Sequence, residues 1–512
     1  MARKKFLGIV GPQVTLYKQT ARPQPPMGLA YALNSAERAG FEPILFDSLA
    51  ERYNNYFEDK ERGIRVTGLS AEEVAEKVSQ TRPDVVGVSL GLSTDHDQVK
   101  KLVEKIKDAH DCPLILGGSE ASLMHGEILE GLPIERIPAD FVVTGRDIGS
   151  GEESVYHLLK AIENNRDYET VPGISFRRDG KVVTTAPTRV TKESLARLEL
   201  PRRDLFARNE NQDIYSRINQ SHTGPVDYTP YAVMHTSRGC GGACTFCHTQ
   251  YNGFDRTLVR RSLENIFSEL EYLESQGVQT ISIEDDNFGG FSSWQTELAV
   301  KVLEKIDILG FRGVYFPNGM TIRSMRNNDY AILRQLRRMA DKGVKIRNSL
   351  PAESGDDRTL KELIRKPHDL NEVQMVLEEL GNGHLGHENI DIDAFFMVGV
   401  VGYDPRTGKY LREPEESIQR TFDLADRVSD LGMRVNIWWM KPNPNGPQYK
   451  LWRQRFPDEP FYKLQFSFTP GIWGSEEEEL ELNNRIRKKN KEMNSKGAGS
   501  LRPIYPVENH KE

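Results

Sequence analysis

Short apolar runs alternate with segments of helical period along most of this chain, and that alternation confines it to α/β folds built on parallel sheets. In the first third the runs fall at residues 6–10, 43–46, 84–90, 113–116 and 141–143. Helical segments lie between them: one from about Met27 to Gly40, one opened by Ser70 with Glu73 as a capping box, and one at 153–162 carrying Val155, Leu158, Leu159 and Ile162 on one face. The pattern predicts a five-stranded, doubly wound (Rossmann or flavodoxin-like) sheet over residues 1–165, whose ligand sits beyond the carboxyl ends of the strands. Periodicity fades over 166–230, read as a linker that includes a hairpin near 173–185. A second series over 231–446 supplies strands at 232–235, 280–284, 313–316, 345–349, 391–397 and 434–438, a partial (β/α)6 barrel of the TIM type. Residues 447–512 read as a mostly helical C-terminal cap, with a helix near 476–494.

A chain of 512 residues has room for at least two domains of roughly 100–200 residues each. Arg3, Lys4 and Lys5 precede an apolar run, but Gly11-Pro12 ends it too early for a signal peptide. No stretch approaches the ~18 apolar residues of a membrane span. The net charge of -7 is spread in mixed signs, unlike the one-sided basic footprint of a nucleic-acid binder. Neither a membrane nor a nucleic acid is therefore expected as a partner.

Three of the four cysteines, Cys240, Cys244 and Cys247, fall within eight residues on a glycine-rich loop that follows the first barrel strand. That spacing suits chelation better than disulfides and fits a reducing cytoplasm. Three thiolates on a four-iron cube leave one iron open to a ligand, whereas structural zinc needs four closed ligands, for which His235 or His248 would have to be recruited. Cys112, alone, reads as a small buried residue.

The C-x3-C-x2-C loop resembles the [4Fe-4S] motif of the radical S-adenosylmethionine superfamily, and other strand ends agree with it. The resemblance implies that Cys240, Cys244 and Cys247 ligate the cluster and that Phe246 lies beside the bound S-adenosylmethionine. Asp285 and Asp286, after the second strand, would meet the methionine ammonium, with helix capping as the structural alternative. Glu353 and Ser354 follow the fourth strand, where relatives contact ribose, and Leu360 and Lys366 fit the same pattern. Gly399 sits at the adenine side, although Val400-Val401-Gly402 stands where Leu-Pro-Gly is usual.

An open sheet before such a barrel is similar to the arrangement of cobalamin-dependent radical methylases. By that resemblance Ser89, Leu90, Gly91, Gly117, Gly118 and Gly145 border the cobalamin tail, with Asp47 at the end of the second strand. The loop after the first strand, with Tyr17, Gln19 and Arg22, has no histidine for cobalt, and Asp95-His96 does not restore a D-x-H-x-x-G signature. The pattern is nearest the fosfomycin-pathway class, which methylates a carbon of a hydroxyethylphosphonate. It implies reductive cleavage of S-adenosylmethionine to a 5'-deoxyadenosyl radical, hydrogen abstraction from an unactivated carbon, and methyl transfer from methylcobalamin, with electrons from a flavodoxin or ferredoxin. Trp438, Trp439, Asn443, Asn445 and Trp473 are the candidates for contact with a small-molecule or natural-product substrate. Two other readings use the same motifs: a cyclase, oxidase or rearrangement enzyme with both cofactors, and a non-catalytic cobalamin sensor with a structural cluster.

Overall fold

The protein is described by a computed structural model covering residues 3–16, 21, 23–131, 135–144, 151–187, 191–196, 198–206, 214–217, 220–221, 224–247, 257–384, 387–404, 406–443, 446–457 and 472–496. Tyr17, Gln19, Arg22, Gly145, His248 and Asn445 lie outside those residues. The chain divides into two compact units, the first made of Met1–Ile218 with the short segments Asn252–Phe254 and Pro457–Ser467.

In the first unit five parallel strands, β1 (Lys5–Val10), β2 (Glu42–Asp47), β3 (Val85–Ser89), β4 (Leu114–Gly117) and β5 (Phe141–Val143), stand in the order β2-β1-β3-β4-β5. Val10 is paired with Ser89 and Ser89 with Gly117, so three strands end level and their loops meet at one edge. Helices α1 (Met27–Arg38), α2 (Ala71–Thr81) and α3 (His96–Ala109) connect the first four, and α4 (Gly151–Asn164) follows β5. Ser70 and Glu73 form the expected capping box on α2, each side chain accepting from the other's backbone N–H.

The expectation of five strands is corrected to seven. The hairpin β6 (Ile174–Arg178) and β7 (Lys181–Thr184) pairs antiparallel with β5, Val143 opposite Ile174. A three-residue β5 would leave a short, open edge, and the hairpin covers it. The stretch read as a linker also folds onto the first unit: Arg202 pairs with Glu37, Asn34 donates to the carbonyl of Leu200, and the Tyr215 hydroxyl donates to Asp47 at 2.8 Å.

The second unit is a sheet of six parallel strands in sequence order: β8 (Tyr231–Met234), β9 (Thr280–Ile283), β10 (Gly313–Phe316), β11 (Lys345–Glu353), β12 (Ile390–Val398) and β13 (Arg434–Trp439). Its helices are α5 (Leu263–Ser275), α6 (Ser293–Ile308), α7 (Ile322–Asp341, broken at Asn327–Tyr330), α8 (Leu370–Gly381), α9 (Glu415–Asp430) and α10 (Glu476–Lys496). One face of the strands, with Ile281, Ile283, Val314, Phe316, Ile346, Ile392, Val435 and Ile437, packs on helix residues such as Leu270, Val302, Leu336 and Val376. Alternation turns Tyr315, Arg347, Asp393 and Arg434 to the opposite face. There Tyr315 donates to Asp227 at 2.6 Å, Arg347 lies 2.9 Å from the same carboxylate, and Arg434 pairs with Asp393.

A partial barrel leaves β13 as an open edge. Helix α10 covers it: the Asn490 amide accepts from the Ile437 N–H at 2.9 Å and donates to the Ile437 carbonyl at 2.9 Å, replacing the missing neighbouring strand. Leu482, Ile486 and Met493 of the same helix join the apolar core.

Candidate functional site

The cysteine loop is held by protein groups on both sides. Ser237–Arg238 pairs antiparallel with Val259–Arg260. Arg260 donates to the Thr236 hydroxyl at 2.8 Å and to the Phe288 carbonyl, while Arg261 donates to the His235 carbonyl at 2.7 Å and pairs with the fully buried Glu269. Asp285, buried at the end of β9, accepts from the Thr236 N–H at 2.6 Å, from the Thr236 hydroxyl and from the Ser237 hydroxyl at 2.6 Å. Asp286 is exposed and accepts from the Gly239 N–H at 3.1 Å. The adjacent carboxylates thus differ in role: Asp285 is saturated by the loop it fixes, and Asp286 remains accessible beside Cys240. At the far end of the loop Thr245 bonds through its N–H and hydroxyl to the carbonyls of Ile364 and Leu363, and Asn443 donates to the Phe246 carbonyl. Asn443 is therefore an anchor of the loop.

Burial pushes the Cys240 thiol up to about 12 and the Cys244 thiol up to about 11, with Lys366 opposing the shift at Cys244. Such thiols ionise when a cation displaces the proton. The space suits an inorganic cluster: a Cβ at Gly242 would lie 3.4 Å from the Cys240 sulfur and 3.7 Å from the Cys244 sulfur, so any side chain there would enter the space the sulfurs border.

Glu353 ends β11 in the left-handed region, φ +64, after a break in register at Leu350–Glu353. A non-glycine residue held there costs of order 1–3 kcal/mol and persists only where its surroundings fix it. Here Lys366 does so at 2.7 Å; burial works against its ammonium, but Glu353, Cys244 and Cys247 outweigh it and hold the group above the usual lysine range. The Lys366 ammonium also lies 5.3 Å from the Phe246 ring centroid, so Phe246 packs beside the pair. Ser354 is fully buried, its hydroxyl bonded to Thr421 at 3.1 Å and accepting from the Asp356 N–H at 3.2 Å, which places it behind the strand end.

Gly399 (φ +71) ends β12 against the Trp439 ring, which lies 3.2 Å from where its Cβ would be. A hairpin, Val401–Asp404 with Lys409–Arg412, follows directly where Leu-Pro-Gly is usual. Glu413 closes it by accepting from the Val400 N–H at 3.0 Å and the Ser417 hydroxyl at 2.9 Å, and burial pushes its carboxyl up to about 7. Trp473 is buried and donates to the Glu413 carbonyl at 3.0 Å. Trp439 and Trp473 are thus packed edge to face as structural residues, whereas Trp438 is 41% exposed.

At the carboxyl edge of the first sheet, Gly91 and Gly117 have nothing within 4 Å of an added Cβ, so backbone borders open space where a ligand can approach it. Gly118 instead permits a close backbone crossing, because with φ +106 its Cβ would meet the Leu90 carbonyl at 2.5 Å. Leu90 is fully buried and its N–H donates to the Gly117 carbonyl at 2.7 Å, while Ser119 donates to the Gly91 carbonyl at 2.7 Å. Leu90 and Gly118 knit the two loops together, leaving Ser89, Gly91 and Gly117 nearer the open side. The Thr144 hydroxyl, buried at the end of β5, has no hydrogen-bond partner among the described residues. An orphaned hydroxyl and bare backbone at this edge fit a large polar ligand such as cobalamin.

Sequence comparison agrees with both halves. Residues 18–154 match the B12 binding domain and residues 234–387 the radical SAM superfamily. Fold and site together define a radical SAM enzyme that carries a B12-binding domain. The chain is 24% identical to cytidylyl-2-hydroxyethylphosphonate methyltransferase of Streptomyces wedmorensis, over 92% of this chain and 87% of that protein. Among solved structures it resembles the radical S-adenosylmethionine methyltransferase TsrM from Kitasatospora setae (TM-score 0.61, 16% identity, 85% of this chain and 73% of that one). It also resembles the cobalamin-dependent S-adenosylmethionine radical enzyme OxsB (TM-score 0.60, 16% identity, 85% and 53%). The chain thus pairs a B12-binding match with a radical SAM match, the combination of the cobalamin-dependent radical SAM enzymes it resembles. Its cofactors are a [4Fe-4S] cluster, S-adenosylmethionine and cobalamin. No helix among the described residues is long and apolar enough to cross a membrane.

Proposed function

We propose that the chain methylates an unactivated carbon of a small molecule and that its residues share the chemistry as follows. Cys240, Cys244 and Cys247 hold the cluster and leave one iron open. Asp286, exposed beside the loop, accepts from the methionine ammonium, whereas Asp285 keeps the loop in shape. Glu353, braced by Lys366, faces the ribose hydroxyls, and the Gly399 turn, pinned by Glu413, borders the adenine. Ser89, Gly91 and Gly117 border the cobalamin tail. When bound, the three cofactors supply the carbon-centred radical and the methyl group. Electrons come from a flavodoxin or ferredoxin of a reducing cytoplasm. Trp438, exposed at the end of β13, is the aromatic left at the barrel mouth to meet substrate.

The observation that carries this reading is the clasped three-thiol loop at the carboxyl edge of a barrel, in one chain with a sheet whose carboxyl edge is bare backbone. The test is anaerobic reconstitution with iron, sulfide and hydroxocobalamin, followed by S-adenosylmethionine carrying a deuterated methyl group and a reductant. Formation of 5'-deoxyadenosine together with labelled methylcobalamin supports it. If deoxyadenosine forms and label never reaches cobalamin, methyl transfer gives way to cyclase or oxidase chemistry. Absence of deoxyadenosine from a fully loaded enzyme favours the sensor.

A further inference from the structure

Glu120 lies three residues beyond Gly117, in the short helix Ser119–Leu123 at the carboxyl edge of the first sheet. Only 7% of its surface is exposed, and among the described residues its carboxyl meets burial and two acidic neighbours and no hydrogen-bond or ion-pair partner. Even a protonated carboxyl buried without a hydrogen-bond partner costs about 1–3 kcal/mol, so its retention at this edge calls for a ligand. The charged groups that face it are both acidic: Asp95, from the loop after β3, and Glu127, from the helix His125–Glu130. Asp95 is itself occupied, accepting from the Val14 N–H at 2.9 Å, and so ties the loop after β3 to the segment after β1 across the crevice where the strand order reverses. His125, on the neighbouring helix, is bonded to the Ser175 hydroxyl at 2.8 Å.

We propose that Glu120 is a cobalamin-binding residue that takes a carboxamide of the ligand through paired hydrogen bonds, one donated and one accepted. The inference rests on the cobalamin reading of the first unit. Cobalamin carries carboxamides around its ring and one amide in its nucleotide arm, and an acid and an amide satisfy each other at two points. The pairing requires the carboxyl to keep its proton. Burial, then repulsion from Glu127 and Asp95, pushes Glu120 up to about 8, so it is mostly neutral at pH 7.

Cyanocobalamin, whose axial ligand does not titrate in this range, is titrated into the full-length protein between pH 6.5 and 9.5, with affinity read from the absorption spectrum. The wild type should weaken about tenfold between pH 7 and pH 9 as the acid ionises. Glu120→Gln, which keeps a donor and an acceptor and cannot ionise, should bind with flat affinity over that range. Glu120→Ala should lose about tenfold at pH 7 with an unchanged far-ultraviolet circular dichroism spectrum. Cobinamide, which lacks the nucleotide, separates the two amide sources: the same pH dependence puts the contact on the ring, and its loss puts it on the arm. Tight cyanocobalamin binding with the same pH profile in the wild type and Glu120→Gln overturns the proposal. No binding at any pH overturns the cobalamin reading itself.

Discussion

Asp285 and Asp286 are adjacent carboxylates with opposite surroundings, and the difference comes from a strand about fifty residues earlier. Thr236 and Ser237 present three donors at the end of β8, and the parallel pairing of Met234 with Ile283 brings Asp285 to them. Nothing in the local pattern separates the two residues, which is why the sequence treats them alike. Asp285→Ala should leave those donors buried without an acceptor, cost about 3 kcal/mol and cut the iron content of reconstituted protein to less than half. Asp286→Ala should load iron normally and weaken S-adenosylmethionine binding about tenfold, measured by equilibrium dialysis. The Lys366–Glu353 pair allows a second test, because both side chains are largely buried. Lys366→Met strands the carboxylate and should cost about 3–5 kcal/mol in urea unfolding of the cluster-free protein, and adding Glu353→Gln should recover most of that loss.

At the scale of elements, the parallel strands and the cysteine loop were legible because each is written locally, in an apolar run or a fixed spacing. The hairpin near 173–185 was legible for the same reason, but where it and the rest of 166–217 dock was not. Beyond the hairpin the polar sequence carries no period, and the segment's partners, Glu37, Asp47 and the edge of β5, are brought near only by the fold. The bond from Tyr215 to Asp47 at the end of β2 has a pH signature. Burial pushes the Asp47 carboxyl up to about 6 despite hydrogen bonds from Ala50 and Tyr215. The folded protein therefore holds this proton more tightly than the unfolded chain does. Its contribution to stability is complete below about pH 4 and is lost as pH rises through about 6. Asp47→Asn removes the ionisable group and keeps an acceptor for the Ala50 N–H. The variant should be more stable than the wild type by about 3 kcal/mol at pH 7.5 but by only about 1 kcal/mol at pH 4.5, measured by urea unfolding at both values.

For the whole molecule, the presence of two α/β units and the identity of the cluster loop could be read from the sequence. The division of tryptophans and asparagines between substrate and scaffold could not. Trp439, Trp473 and Asn443 look like mouth residues by position, yet they pack on Gly399, bond to the Glu413 carbonyl and bond to the Phe246 carbonyl. A side chain's employment depends on what the barrel places opposite it. The cysteine loop follows the same logic, since its first half is fixed by Asp285, Asp286, Arg260 and Arg261 and not by sulfur. Chelation of iron from the reconstituted protein should therefore leave the loop half ordered. In hydrogen exchange, amides of 240–244 should speed up at least tenfold, while the Thr236 amide, bonded to Asp285 at 2.6 Å, and the Thr245 amide, bonded to the Ile364 carbonyl at 3.0 Å, should stay protected. Cyanocobalamin added to the same sample at a hundredfold excess over its dissociation constant should stabilise the first unit by about 2.7 kcal/mol, read as slower exchange in 85–117. Loss of Thr236 protection on chelation would mean that the cluster, and not the two aspartates and two arginines, shapes the loop.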